Sequence, residues 1–272
     1  MNSSITFVVT ALNEEEHIVP SVETVVAAAT QLGCDYEILL VNDGSTDATP
    51  QIIDRLAASD YHIRPVHNPR NLGLGGAYKR AVTFATKEHV MWICGDNSET
   101  AEHIVHIASH VGVADIIVPV LKAGRQRPFL RRLTSRTFTS IVNLLFGLRI
   151  GYYNGNVIHR TRLIQAVPIR TNSFAYQAEA LVKMLRARCS YVEVPYSSRT
   201  YDGLFSNAMK PKNLFAVVTC LFRTFVDVRV LGLVPVLPAD DRMLGNSGCK
   251  SDRRVDCGGI GVFEANRGRP TE

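Results

Sequence analysis

Short apolar segments alternate with amphipathic helical segments through the first 120 residues, and this alternation limits the possible folds more than any other feature of the chain. The apolar segments predict strands at residues 5–10, 36–41, 62–67, 89–94 and 115–120, and the segments between them predict helices at 14–32, 47–58, 75–86 and 101–111. Strands joined in this way form mainly parallel sheets covered by helices. The first half therefore predicts an α/β fold.

Polar residues collect directly after the first four strands, in the segments 11–16, 42–47, 68–76 and 95–99. Each segment taken alone is typical of a turn or a helix cap. The carboxyl ends of parallel strands share one edge of the sheet, where α/β proteins bind their ligands, so four such segments predict a ligand site. Asp43 and Asp96 are the strongest candidates, because carboxylates at this edge can hold a nucleotide or bind Mg²⁺ or Mn²⁺.

Two common nucleotide-binding motifs do not occur in the chain. The P-loop pattern is not present, and the glycines at 73, 75 and 76 do not form Gly-x-Gly-x-x-Gly after the first strand. These observations exclude a P-loop NTPase by motif and argue against an ordinary dinucleotide-binding domain.

Charge is divided unevenly along the sequence, although the formal net charge is only +5. Residues 1–115 carry a net charge of −9, residues 116–178 carry +10 without a single carboxylate, and residues 179–272 carry +4. The middle segment predicts a surface for an anion, which leaves nucleic acid, an anionic membrane and a phosphorylated substrate open. Nucleic acid is disfavoured, because the basic segment has neither stacked aromatic residues nor a recognition motif.

Two later segments predict contact with a membrane surface. Residues 121–150 interleave arginines with apolar residues, as basic amphipathic interfacial helices do. Residues 214–237 are apolar but are interrupted by Arg223, Asp227 and Arg229, so we expect an amphipathic interfacial helix rather than a membrane span. Residues 238–272 show no periodicity and predict a disordered tail.

The cysteines and the N-terminus indicate a compartment. The six cysteines have no metal-ligand spacing and form no evident disulfide framework, and the first apolar segment is too short for a secretory signal. We therefore expect a cytoplasmic protein that associates peripherally with a membrane.

The strand-end segments closely resemble those of the family 2 glycosyltransferases of GT-A fold. The resemblance lies in Val-Thr-Ala-Leu-Asn-Glu-Glu, Val-Asn-Asp-Gly-Ser-Thr-Asp, Asn-Leu-Gly-Leu-Gly-Gly-Ala and Gly-Asp, and it extends over about residues 4–230. Within the family, the chain is most similar to the branch of dolichyl-phosphate mannosyltransferase and the bacterial polyprenyl-phosphate sugar transferases. The resemblance implies a GT-A-like, Rossmann-like three-layer α/β/α sandwich with a mainly parallel mixed sheet and C-terminal amphipathic interface helices.

The same resemblance implies roles for residues on the donor side. A nucleotide diphosphate sugar would bind at Ala11, Asn13, Glu14, Asp43, Gly75, Gly95 and Asp96. Asp96 would be the second Asp of the family's Asp-x-Asp motif and a ligand of Mg²⁺ or Mn²⁺. Cys94 stands where the first Asp is usual, and Ser98 stands where a Gln is usual.

On the acceptor side, the resemblance implies inverting transfer to a polyprenyl phosphate, and two alternatives remain open. A lipid phosphate would need a positive cradle, for which Arg131 and Arg199 are candidates together with Arg132, Arg136, Lys210 and Lys212. A sugar hydroxyl acceptor would instead need a general base, for which Glu179 is the candidate. The second alternative is a non-catalytic nucleotide-sugar-binding protein, suggested by Cys94.

We expect four regions in the chain. Residues 1–120 form the nucleotide-sugar-binding half, residues 121–200 the acceptor-side half of the same domain, residues 201–237 a basic loop and an interfacial helix, and residues 238–272 the tail. The sequence leaves the oligomeric state open.

Overall fold

A computed structural model describes residues 3–121, 129–196 and 211–238. Within them, seven strands form one sheet in the order β3-β2-β1-β4-β6-β5-β7. Only the short β6 is antiparallel to its neighbours, so the expected mainly parallel mixed sheet is confirmed. The strands are β1 Ser4–Ala11, β2 Asp35–Asn42, β3 Ile63–His67, β4 His89–Cys94, β5 Ile116–Leu121, β6 Ile158–Arg160 and β7 Tyr191–Tyr196.

Helices cover both faces of this sheet, because alternate strand residues point to opposite sides. On β1, Val8 packs into one buried apolar cluster, and Phe7 and Val9 pack into the other. The helices are α1 Ile18–Leu32, α2 Thr49–Ser59, α3 Leu74–Val82, α4 Ala101–Ala108, α5 Phe129–Phe146, α6 Thr161–Gln165, α7 Tyr176–Arg186 and α8 Pro211–Phe225. The first cluster includes residues of α3, α5, α6, α7 and α8, and the second those of α1, α2 and α4.

The first helix begins later than the sequence predicts, at Ile18 instead of residue 14. Asn13 has a positive φ of 57°, and the carbonyl of Glu14 accepts hydrogen bonds from the amides of His17 and Ile18. These residues therefore form a turn that closes the strand-end loop before the helix starts.

The C-terminal prediction of one helix over 214–237 is wrong in its extent. The α-helix α8 ends at Phe225, a π-helical turn Val226–Val230 follows, and residues 231–238 have no regular structure. The predicted basic loop runs through Arg199 and residues 210–212; Arg199 and Lys210 lie outside the described residues, whereas Lys212 belongs to α8 and not to a loop. The predicted disordered tail at residues 238–272 lies outside the described residues except for residue 238. The expected division into four regions stays a prediction.

Candidate active site

The first and second strand-end loops hold each other in place. The side-chain oxygen of Asn13 accepts a hydrogen bond from the Thr46 amide at 2.8 Å, and the Asn13 amide donates to the Ser45 hydroxyl at 3.0 Å. The amide of Glu14 donates to the Thr49 hydroxyl at 2.9 Å. Asn13 and Glu14 thus lie at the predicted edge, but part of their hydrogen-bonding capacity braces the two loops.

Asp43 lies at the end of β2 and fixes the third loop. Its carboxylate accepts hydrogen bonds from the Asn68 side chain at 2.7 Å, the Leu72 amide at 2.9 Å and the Gly73 amide at 3.0 Å. The side chain is buried. A contact from Asp43 to a base or ribose stays a prediction, and it would have to use oxygen lone pairs that these three donors leave.

Gly44 is the position in the Asn-Asp-Gly-Ser motif where only glycine fits. Its φ is +75°, and a Cβ atom there would lie 2.5 Å from the Arg70 carbonyl carbon and 2.6 Å from the Asn71 nitrogen. The second and third loops therefore meet backbone to backbone. The motif's glycine is explained by this close approach.

The ends of β1 and β4 bring Ala11, Gly95, Glu14 and Asp96 together. The Gly95 amide donates to the Thr10 carbonyl at 2.9 Å, and a Cβ on Gly95 would lie 3.2 Å from the Cβ of buried Ala11. Burial raises the pKa of Glu14, the His17 hydrogen bond lowers it, and the negative charge of Asp96 raises it again. Two acidic side chains thus interact at this edge, where a bound cation would relieve their repulsion.

Asp96 fits a divalent cation better than Cys94 does. Burial, followed by the charge of Asp96, raises the pKa of the Cys94 thiol well above its usual value, which leaves a neutral sulfur. Mg²⁺ and Mn²⁺ prefer oxygen ligands, and Mg²⁺ is commonly held by one or two carboxylates with substrate phosphates and water. Among the described residues, no group of three or more His, Cys, Asp or Glu side chains is arranged to hold a metal ion. The role of Asp96 as a ligand of Mg²⁺ or Mn²⁺ stays a prediction, and such a cation would have to take its remaining ligands from a diphosphate and water.

Glu179 lies on α7 in a buried network. Its carboxylate accepts hydrogen bonds from the amides of Arg170 at 3.0 and 3.1 Å and of Thr171 at 3.0 Å, and it pairs with the Lys183 ammonium at 2.5 Å. Only 3% of Glu179 and 2% of Lys183 are exposed. These contacts are those of a carboxylate that positions a loop, and a role of Glu179 as a general base stays a prediction.

The predicted arginines of the acceptor side are only partly described. Arg131 lies on α5, but its side chain is outside the described residues, as is all of Arg199. Arg132 is half-buried and Arg136 is exposed on the same helix. Their roles stay predictions.

In the structure, Gly75 also contacts residues 171–173, a segment that the sequence analysis did not identify. The Gly75 amide donates to the Asn172 carbonyl at 3.0 Å, so that donor is already used by the protein. Arg170 and Lys183, which belong to the same network, were not singled out either. Lys183 follows Glu179 by one helical turn, and this spacing on an apolar helix is a signal that could have found the pair.

An α/β sheet whose strand ends carry acidic side chains at one edge has the arrangement of an α/β protein that binds its ligand at the carboxyl ends of the strands. The sequence profile of Glycosyl transferase family 2 matches residues 6–173, which is more than half of the chain. The chain belongs to this family and is a glycosyltransferase, so the non-catalytic alternative is set aside.

Two similar relatives are undecaprenyl-phosphate 4-deoxy-4-formamido-L-arabinose transferases. The protein of Pectobacterium carotovorum subsp. carotovorum (strain PC1) is 24% identical over 233 residues, and that of Sodalis glossinidius (strain morsitans) is 26% identical over 245 residues. Each alignment covers 85% of this chain and 71% of the relative.

Solved structures of similar fold include two sugar-phosphoglycerate synthases. Mannosyl-3-phosphoglycerate synthase from Rubrobacter xylanophilus superimposes with a TM-score of 0.65 at 14% identity, over 91% of this chain and 79% of that one. Glucosyl-3-phosphoglycerate synthase from Mycobacterium tuberculosis, solved with Mn²⁺, UDP-glucose and phosphoglyceric acid, gives a TM-score of 0.58 at 18% identity, over 82% and 80%. These matches confirm the GT-A fold.

Proposed function

We propose that this enzyme transfers a sugar, with inversion, from a nucleotide diphosphate sugar to a polyprenyl phosphate at a membrane surface, with Mg²⁺ or Mn²⁺ at Asp96. The observation that carries the acceptor assignment is an exposed apolar strip on α8, which we call the outer face of α8. On this face, Leu214 is 59% exposed, Phe215 75%, Val218 57% and Phe222 67%.

The spacing of these four residues places them on one side of the helix. Exposed apolar patches of this kind mark sites for a membrane or another protein. Burying a large apolar side chain contributes about 1.5–3 kcal/mol, so the outer face of α8 can supply a substantial part of a membrane-binding free energy.

A basic helix lies beside the C-terminal segment. The Phe146 ring of α5 lies 6.3 Å from the Phe225 ring of α8, and the Arg229 side chain donates to the Leu145 carbonyl at 3.1 Å. Helix α5 carries three arginines and no carboxylate. Basic amphipathic helices are typical of proteins that bind anionic membrane surfaces, which supports a membrane contact in this part of the molecule.

A helix that spans the bilayer is a separate feature from this surface contact. No helix in the described part of the chain has the length and apolarity that a membrane span requires.

The chemistry of a lipid phosphate acceptor agrees with the buried state of Glu179. A phosphate oxygen already carries negative charge, so it can attack the anomeric carbon without a strong general base. A cation at Asp96 would supply charge neutralisation for the departing diphosphate. The protein's own contribution at this edge is to orient the donor through the braced loops and to hold Asp96 at the end of β4. The names of the relatives, which specify undecaprenyl phosphate, support the same acceptor class.

The experiment offers the purified protein a panel of UDP-, GDP- and TDP-sugars, including a donor that carries 4-deoxy-4-formamido-L-arabinose, with undecaprenyl phosphate in anionic vesicles and with or without Mn²⁺. We expect one donor to give a labelled lipid. Parallel reactions contain 3-phosphoglycerate or free saccharides. Transfer to one of these soluble acceptors alone, or donor binding without any lipid product, would overturn the proposal.

The outer face of α8 has its own variant and control. Phe222→Asp should reduce vesicle binding and transfer to the lipid while leaving donor binding unchanged. Val113→Asp, at a position 56% exposed on the α4–β5 connection, is the matched control and should change neither. Equal vesicle binding by the two variants would exclude this face as the membrane contact.

A further inference from the structure

Arg170 joins three elements at one residue of the connection between α6 and α7. Its carbonyl accepts a hydrogen bond from the Lys79 ammonium of α3 at 3.2 Å, and its amide donates to Glu179 of α7. Its guanidinium donates to Asp227 of the π-helical turn at 3.2 Å. Arg170 is therefore attached to the sheet-covering helices and to the C-terminal segment at the same time.

Helix α8 covers the buried pair below this connection. The Cys220 thiol lies 3.9 Å from a Glu179 oxygen and 4.0 Å from the Thr224 hydroxyl. Burial, and then the charge of Glu179, raise the pKa of Cys220 to about 11, so the thiol stays neutral there. The Lys183 ammonium also donates to the Pro168 carbonyl at 2.6 Å. The inner side of α8 thus seals the network that holds residues 168–171.

The next residues of the same connection press against the third strand-end loop. Besides the hydrogen bond from Gly75 to Asn172, a Cβ on Gly75 would lie 2.9 Å from the backbone of residues 171–173. A Cβ on Gly73 would lie 2.7 Å from the Asn172 carbonyl oxygen. The two segments touch through backbone, so the third loop has little freedom to shift unless residues 171–173 shift too.

The third loop in turn is the segment that Asp43 holds. The Gly73 amide donates to the Asp43 carboxylate, so a continuous set of contacts runs from Asp227 through Arg170 and Asn172 to Gly73 and Asp43. Every step is a hydrogen bond, an ion pair, a backbone contact or a chain neighbour.

We propose that Arg170 is a positioning residue for the donor site, which ties the C-terminal segment to the loop at Asp43. This inference rests on the proposed function, since that function places the nucleotide at the edge formed by Asp43 and Asp96. Arg170 itself would not touch the donor. Its guanidinium fixes residues 170–173, and these fix the third loop in the position that the donor needs.

The test compares Arg170→Met with Arg170→Lys and with Arg186→Met. The methionine removes the guanidinium but keeps the backbone contacts of residue 170, and the lysine keeps a cation for Asp227. Arg186 is an exposed arginine at the end of α7 and serves as the matched control. The readouts are the Kd of the nucleotide diphosphate, measured calorimetrically with UDP, GDP and TDP, and the thermal midpoint.

We expect Arg170→Met to raise the nucleotide Kd by about fivefold or more, with Arg170→Lys within about twofold of the original protein and Arg186→Met unchanged. A purely structural role would lower the thermal midpoint of Arg170→Met and leave the Kd of the folded protein unchanged, and that result would overturn the inference.

A second measurement separates this inference from the proposed function. If the original protein binds none of the nucleotides, the proposed function fails, and amide hydrogen exchange still tests the coupling without a ligand. Faster exchange at residues 72–75 in Arg170→Met than in Arg186→Met supports the positioning role. Equal exchange at those amides refutes it.

Discussion

Replacing Glu179 by Gln tests whether this carboxylate positions a loop or takes a proton. The change keeps the size of the side chain but removes its charge. Lys183, which is 2% exposed, then loses the carboxylate that lies 2.5 Å from its ammonium. The Arg170 amide donates to both carboxylate oxygens, the Thr171 amide to one of them and the Lys183 ammonium to the other. In either orientation of the glutamine side chain, the new NH₂ group therefore takes the place of an acceptor for the Thr171 amide or for Lys183.

The loss of the ion pair and the loss of one hydrogen-bond acceptor together determine how far the free energy of unfolding should fall. Breaking a buried ion pair by removing one partner costs about 3–5 kcal/mol, and a buried polar group left without a partner costs about 1–3 kcal/mol. The free energy of unfolding should therefore fall by about 4–8 kcal/mol, a large part of the 5–15 kcal/mol typical of a folded protein.

Urea unfolding followed by far-UV circular dichroism measures this change. The double variant Glu179→Gln with Lys183→Met removes the unpaired cation and should recover about 2 kcal/mol or more of the loss. The general-base role makes the opposite prediction: turnover falls by orders of magnitude, whereas the free energy of unfolding and donor binding stay unchanged. That result would refute the positioning role.

Three further predictions concern pH, the second loop and the metal. Burial lowers the pKa of His159 to about 3 in the folded protein. In the unfolded chain this histidine binds a proton near the ordinary histidine pKa of about 6.5, so the free energy of unfolding should fall by up to about 1.4 kcal/mol per pH unit as the pH drops below about 6.5. His159→Gln should reduce this slope in urea unfolding at a series of pH values, and identical slopes would contradict the assignment. Gly44→Ala should destabilise the protein more than Gly33→Ala in the same assay, because both glycines have positive φ but, of the two, only Gly44 would bring a Cβ against backbone atoms. Equal losses of unfolding free energy in the two variants would show that the contact with residues 70–71 is not tight. Asp96→Asn should abolish the Mn²⁺-dependent donor binding that calorimetry measures, whereas Cys94→Ala should leave the donor affinity within about twofold of the original. Loss of Mn²⁺-dependent donor binding in Cys94→Ala would instead show that the sulfur is a metal ligand.

The first five strands and the four helices between them could be predicted from the sequence. The strand His89–Cys94 has the bounds that the apolar pattern predicts, and β1, β2 and β5 differ by one residue at each affected end. The antiparallel β6 was missed, because Ile158–Arg160 is too short for any periodicity. The late start of α1 was missed for a different reason, since the turn at residues 13–17 depends on the positive φ of Asn13 and on its bonds to the second loop.

The residues of the candidate site show the same difference between features that a sequence pattern predicts and features that depend on distant contacts. The sequence was enough to predict which residues reach one edge of the sheet, because strand length and alternation place Glu14, Asp43 and Asp96 after the first, second and fourth strands. The contacts of these residues became known only from the three-dimensional fold. Asp43 binds amides 29 and 30 residues further along the chain, and Glu179 meets Lys183 under a helix that begins at Pro211. Sequence periodicity reports which side of an element is buried, whereas hydrogen-bond partners depend on which distant loops meet across the sheet.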